Sequence, residues 1–88
     1  MEKIEILERV QGIFRDIFDD ESLDIKRDTY ADDIEDWDSL ANINLVVAME
    51  KEFNIKYIIG EIQVLRDVGD MIDLIYKKLT LGNERVQV

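Results

Sequence analysis

Apolar residues recur along the chain at intervals of three and four, and these runs predict four helices. The first covers residues 2–18. Ile6, Leu7, Val10, Ile13, Phe14, Ile17 and Phe18 fall on one face, with Glu5, Glu8, Arg9, Arg15 and Asp16 largely opposite. Gly12 weakens its middle by about 1 kcal/mol relative to Ala, and marks either close approach of another helix or nothing. A second helix is predicted over residues 39–53, opened by Asp38 or Ser39 as the cap, since a short side-chain oxygen there accepts from first-turn amides. Its apolar residues Leu40, Ile43, Leu45, Val46, Val47, Met49 and Phe53 cover more than one stripe, so some should remain exposed. Asn54 suits the left-handed stop. A short third helix is expected near Ile59–Val64, with Ile58, Ile59 and Ile62 inward. Asp67 then caps a fourth over about Val68–Leu79, with Val68, Met71, Ile72, Ile75 and Leu79 inward and Lys77 and Lys78 at its negative end. Leu81-Gly82-Asn83 should end it, and about 82–88 should fray.

Residues 19–38 are predicted as a long loop between the first two helices. It holds ten acids, a density that disfavours continuous helix. Leu23, Ile25, Tyr30, Ile34 and Trp37 punctuate it and should pin it to the core. The run Lys56-Tyr57-Ile58-Ile59 could be extended, but no second run is available to pair with it. The reading is one all-α domain, 1–88: a four-helix bundle with a short third helix and a long first loop. Phe14, Ile43 and Ile72 are taken as core positions.

Composition narrows the function. The 88 residues include no Cys and no His, so the chain has no thiol of its own and lacks the commonest general base and metal ligand. A net charge of −10, from 21 acids against 11 bases, repels nucleic acid and anionic membranes and favours basic protein partners. With 47% hydrophobic residues, regularly spaced, the charge does not signal disorder. No apolar run reaches the roughly 18 residues of a membrane helix. The start, Met1-Glu2-Lys3-Ile4-Glu5, lacks signal-peptide features. A soluble cytoplasmic monomer is expected. The acidic stretch Asp32–Asp38 lacks the Gly and spacing of a calcium loop, so no resident metal is expected.

The candidate chemistry lies at Asp36-Trp37-Asp38-Ser39-Leu40. A hydroxyl where a helix begins tolerates an added phosphate, because free N–H groups and the positive end of the macrodipole face it. The Asp38-Ser39-Leu40 triplet resembles the attachment motif of the acyl carrier proteins, and Leu45 to Phe53 resembles the second half of that family's second helix. The likeness extends more weakly from about residue 4 to about 79. It implies an acyl-carrier-type bundle and a 4′-phosphopantetheine arm on Ser39, whose thiol carries acyl groups as thioesters. It implies that Asp38 supports attachment, lying beside the transferase's magnesium ion, and that Leu40, Asn44, Val47 and Glu50 form the face that meets partners. Those partners would be a phosphopantetheinyl transferase and acyl-transferring or acyl-modifying enzymes with basic docking patches. The chain would be a carrier, not an enzyme. Ser39 does not fit a hydrolase, having no His to activate it and no Gly-x-Ser-x-Gly elbow.

Two departures from the family pattern stand out. Asp36 and Trp37 replace the usual Gly and small residue, and the second helix is less acidic than usual. Both bear on which enzymes dock, and they point to a specialised carrier; Trp37 is alternatively a core anchor. An aminoacyl or peptidyl carrier, and a helical interaction module with no prosthetic group, are the other readings. The bundle interior is a further candidate for sheltering the acyl chain.

Overall fold

The computed structural model describes residues 1–63 and 67–81. Four α-helices run in the order α1 (Lys3–Ile17), α2 (Ser39–Phe53), α3 (Ile59–Gln63) and α4 (Val68–Leu81). The all-α bundle with a short α3 and a long first loop is the architecture expected. The expected end of α3 at Val64, the Ile59 side chain and the tail from 82 onward lie outside the described residues.

Helix α1 forms the spine. It packs against both α2 and α4, and its Ile6, Val10 and Phe14 have no solvent exposure. They meet Leu45, Val46, Met49 and Phe53 of α2, and Val68, Met71, Ile72 and Ile75 of α4. Gly12 is exposed with open space around it, so no neighbouring helix requires it. At the far end of α2, Asn54 adopts the left-handed conformation (φ 55°, ψ 50°), and the Ile55 amide donates back to the Glu50 carbonyl at 3.1 Å.

The acidic loop is ordered by a few specific contacts. Ile25 and Trp37 are buried, and Leu23 and Ile34 pack against the core in part. Arg15 Nε donates to the Leu23 carbonyl at 2.7 Å, and the Ile25 amide donates to Gln11 Oε1 at 3.0 Å. Farther along, the amides of Val68 and Gly69 donate to the carbonyls of Thr29 (2.9 Å) and Arg27 (2.7 Å). Loop carbonyls thus satisfy first-turn amides of α4 that have no partner in the helix itself. Asp67 Oδ1 caps the same end by accepting from Asp70 N at 2.9 Å, as the sequence predicts. A Cβ at Gly69 would stand 3.0 Å from the Arg27 carbonyl oxygen, so glycine allows this close approach. A single 3-10 turn, Ala31–Asp33, interrupts the loop.

Three expected core contacts are not made. Ile43 is 57% exposed, because Leu45 and Val46 hold the inward face of α2 and leave Ile43 on the opposite side. Tyr30 is 47% exposed; its backbone, not its ring, joins the structure, through a bridge to Asp67. Ile58 is 64% exposed; before it Ile55 and Tyr57 are buried and Lys56 between them is exposed. That alternation is what an extended segment with one covered face produces.

Asp73 on α4 gathers two cations: Arg27 of the loop at 2.9 Å and Lys3 of α1 at 3.1 Å. The Arg27 hydrogen bond, with help from Lys3, holds the Asp73 carboxyl below its ordinary value. A folded-state pKa below the unfolded one gives stability that is present at neutral pH. It is lost as pH falls from about 4 downward. The pair is half-exposed, so the effect is small. The melting-temperature advantage of wild type over Asp73→Asn should be positive at pH 7 and shrink as pH falls below the ordinary carboxylate value of about 4. In urea titrations at neutral pH, Phe14→Ala and Ile72→Ala should each lose about 2–5 kcal/mol, and Ile43→Ala no more than about 0.5 kcal/mol.

Candidate functional site

Trp37 places the start of α2. Its ring packs edge-on against Phe14 of α1, with centroids 5.1 Å apart and planes at 84°. Its indole N–H donates to Asn42 Oδ1 at 3.1 Å. The residue before the cap is thus joined to the fourth residue of the helix, where a hydrophobic staple would otherwise sit. Trp37 is therefore a core anchor, 8% exposed. Asp38 follows with extended backbone (φ −110°, ψ −170°) and is the N-cap: its Oδ1 accepts from Ala41 N at 2.8 Å, while its carbonyl accepts from Asn42 N at 2.9 Å.

Ser39 is the first residue of α2 and is exposed. The cap is thus Asp38, and the Ser39 side chain is left without a structural task among the described residues. The amides of Ser39 and Leu40 have no acceptor within the helix, so the turn that carries the hydroxyl keeps unpartnered N–H groups. Nothing covers it, and the positive end of the α2 dipole favours a phosphate ester at this point.

From Ser39 an apolar stripe runs along the outside of α2. Leu40 is 67% exposed and Val47 43%, with Ile43 between them and Asn44 alongside. Glu50, expected on this face, stands three residues after Val47 and seven after Ile43, on the same side of the helix, but its carboxylate is engaged. Its Oε2 accepts from the Tyr57 amide at 2.9 Å and the residue is half-buried. An unpaired amide at Tyr57 would otherwise be left in a mostly buried turn, which explains the carboxylate's position. Burial, with the nearby Glu61 and Glu50 charges, pushes the Tyr57 phenol up. Ile43 was legible as part of the stripe: it sits three residues after Leu40 and four before Val47, so those two cannot face outward without it.

No family model matches the chain. It is 32% identical over 80 residues to the acyl carrier protein of Thermosynechococcus vestitus, covering 90% of this chain and 98% of that one. It also superposes on the solution structure of a holo acyl carrier protein from Geobacter metallireducens with a TM-score of 0.81. That match has 46% sequence identity and covers 89% of this chain and 90% of the other. The chain belongs to the acyl carrier protein family. The family's members are carriers, and the helical bundle seen here is the acyl carrier fold. No described helix is long and apolar enough to cross a membrane.

Because Asp38 and not Ser39 caps α2 in this acyl carrier fold, the two residues separate in stability. Asp38→Ala should cost about 1 kcal/mol, and Ser39→Ala no more than about 0.5 kcal/mol. Chemical denaturation of both variants against wild type reads the difference.

Proposed function

We propose that this chain carries acyl groups on a 4′-phosphopantetheine arm joined to Ser39 and hands them to successive enzymes. The observation that carries this reading is an exposed, structurally unemployed hydroxyl at the first turn of α2 in an acyl carrier fold. The residues present fit the group: the hydroxyl is reachable, first-turn amides face it, and no Cβ or side chain closes over it. The arm would supply the thiol that a chain without cysteine lacks, and that thiol holds the acyl group as a thioester.

The remaining work falls to the chain's own residues. Asp38 holds the turn that presents Ser39 and keeps a carboxylate beside it, suited to the transferase's magnesium ion. Leu40, Ile43, Asn44 and Val47 present an apolar patch to partners. Glu50 contributes little to that patch, since its carboxylate is engaged with the Tyr57 amide. The chain is then a soluble cytoplasmic carrier with no catalytic group of its own. The shortage of free charge on its docking helix fits a dedicated set of partners, with a specialised lipid or secondary-metabolite pathway as the setting.

Intact-mass analysis tests the proposal. Wild type incubated with coenzyme A, magnesium and a broad-specificity phosphopantetheinyl transferase should gain one phosphopantetheine, and Ser39→Ala none. A wild-type chain that stays unmodified beside a competent control carrier overturns it and leaves a helical interaction module. Loading of the holo-form by an adenylating enzyme with an amino acid, and not with a fatty acid, would reassign it to the aminoacyl carriers.

A further inference from the structure

Ser39 lies inside a bracket of three hydrogen bonds. The Trp37 indole N–H donates to Asn42 Oδ1 at 3.1 Å, the Ala41 amide to Asp38 Oδ1 at 2.8 Å, and the Asn42 amide to the Asp38 carbonyl at 2.9 Å. All three join residues 37–38 to residues 41–42, and Ser39 stands between them. The last two are what any capped helix has. The first is not. At this pair of positions two apolar side chains commonly meet, and such a contact can slide. Here one member is an amide, and the bond to it has a direction as well as a length. The bracket is also anchored from outside. The Trp37 ring rests edge-on against Phe14 of α1, and the Trp37 amide donates to the Ile34 carbonyl at 3.1 Å. Asparagine is a poorer helix former than alanine, so this position trades helix propensity for the link.

We infer that Asn42 is a positioning residue for the modification of Ser39: by holding the Trp37 indole it keeps the first turn of α2 closed in the geometry from which the serine oxygen reacts. The inference rests on the carrier reading above and identifies what aims its attachment site. In the transfer, Ser39 Oγ bonds to the phosphorus that bears the pantetheine arm. The bond from that phosphorus to its bridging oxygen breaks, and the nucleotide half of coenzyme A leaves with the electron pair. A base of the transferase takes the serine proton. The attacking and leaving oxygens must stand roughly in line, so a small displacement of Oγ costs rate rather than binding. Helix ends fray, and an exposed serine at the first position of a helix moves with the fraying turn. The bracket opposes that motion. The apolar patch offered to partners is made by Leu40, Ile43 and Val47, so docking and aim are set by different side chains.

The probe is the transferase reaction with coenzyme A and magnesium, followed by intact mass, together with amide hydrogen exchange of the chain before modification. Asn42→Ala removes the acceptor, and Trp37→Phe removes the donor while keeping a ring against Phe14. Each should lower kcat about fivefold with KM within about twofold. The double variant should be no slower than either single one, because the same bond is lost in all three. Asn42→Asp keeps an acceptor oxygen and should hold kcat within about twofold of wild type. The backbone amides of residues 41 and 42 should exchange about tenfold faster in Asn42→Ala and Trp37→Phe. Gln11→Ala is the structural control. It removes the side-chain acceptor of the Ile25 amide, a bond of 3.0 Å elsewhere in the loop. It should lower the melting temperature and leave both kcat and exchange in the first turn of α2 unchanged. Should Trp37→Phe lose the fold, Asn42→Ala and Asn42→Asp decide by themselves. Unchanged kcat in Asn42→Ala overturns the positioning role and leaves the carrier function standing. Equal slowing in Gln11→Ala, or an Asn42→Asp as slow as Asn42→Ala, does the same. A wild-type chain that takes up no phosphopantetheine overturns both.

Discussion

The edge-on contact between Trp37 and Phe14 decides where Ser39 stands. Phe14 is wholly buried in the middle of the core, and Trp37 is the last apolar residue of the acidic loop. Without this contact the connection between α1 and α2 would keep its anchors at Ile25 and at the α4 amides but lose the buried side chain next to α2. With it, the loop ends at a defined point on α1. The indole N–H then reaches Asn42, so the same side chain sets the direction in which α2 departs. Asp38 and Ser39 inherit their positions from the residue before them. A chain with no disulfide to order its loops depends on such contacts.

The loop is held at its other end by different means. Near Arg27 and Thr29 the attachments are backbone carbonyls that satisfy the α4 amides, reinforced by the Arg27–Asp73–Lys3 cluster. The hydrogen bonds at α4 replace bonds to water one for one, so they add modest stability and high specificity of place. The acids are tolerated because most of them remain at the surface. Loop order and loop charge are therefore compatible: a few side chains and carbonyls carry the packing while the carboxylates stay in water.

The outer face of α2 is unusual for an exposed helix surface, being apolar and free of charge for three turns. The same residues that make it a poor solvated surface make it a serviceable contact for a partner. Its own acids are committed elsewhere, Glu50 to a turn and Glu52 to α1. Charge near Ser39 is supplied by the neighbouring loop and the end of α1 instead.

Local pattern was enough for the elements. Helix periodicity, the cap at Asp67, the left-handed stop at Asn54 and the Asp38-Ser39-Leu40 motif are short-range features, set by interactions within a turn or two of chain. The inward faces of α1 and α4 were equally legible, because each has a single apolar stripe and so a single way to bury it. Helix α2 has apolar residues on two sides, and periodicity cannot rank two such faces. Packing against α1 selected Leu45, Val46, Met49 and Phe53 and left Ile43 in solvent. Tyr30 and Ile58 lie outward for a related reason: in loops and turns, which side chain goes inward depends on distant groups that need partners.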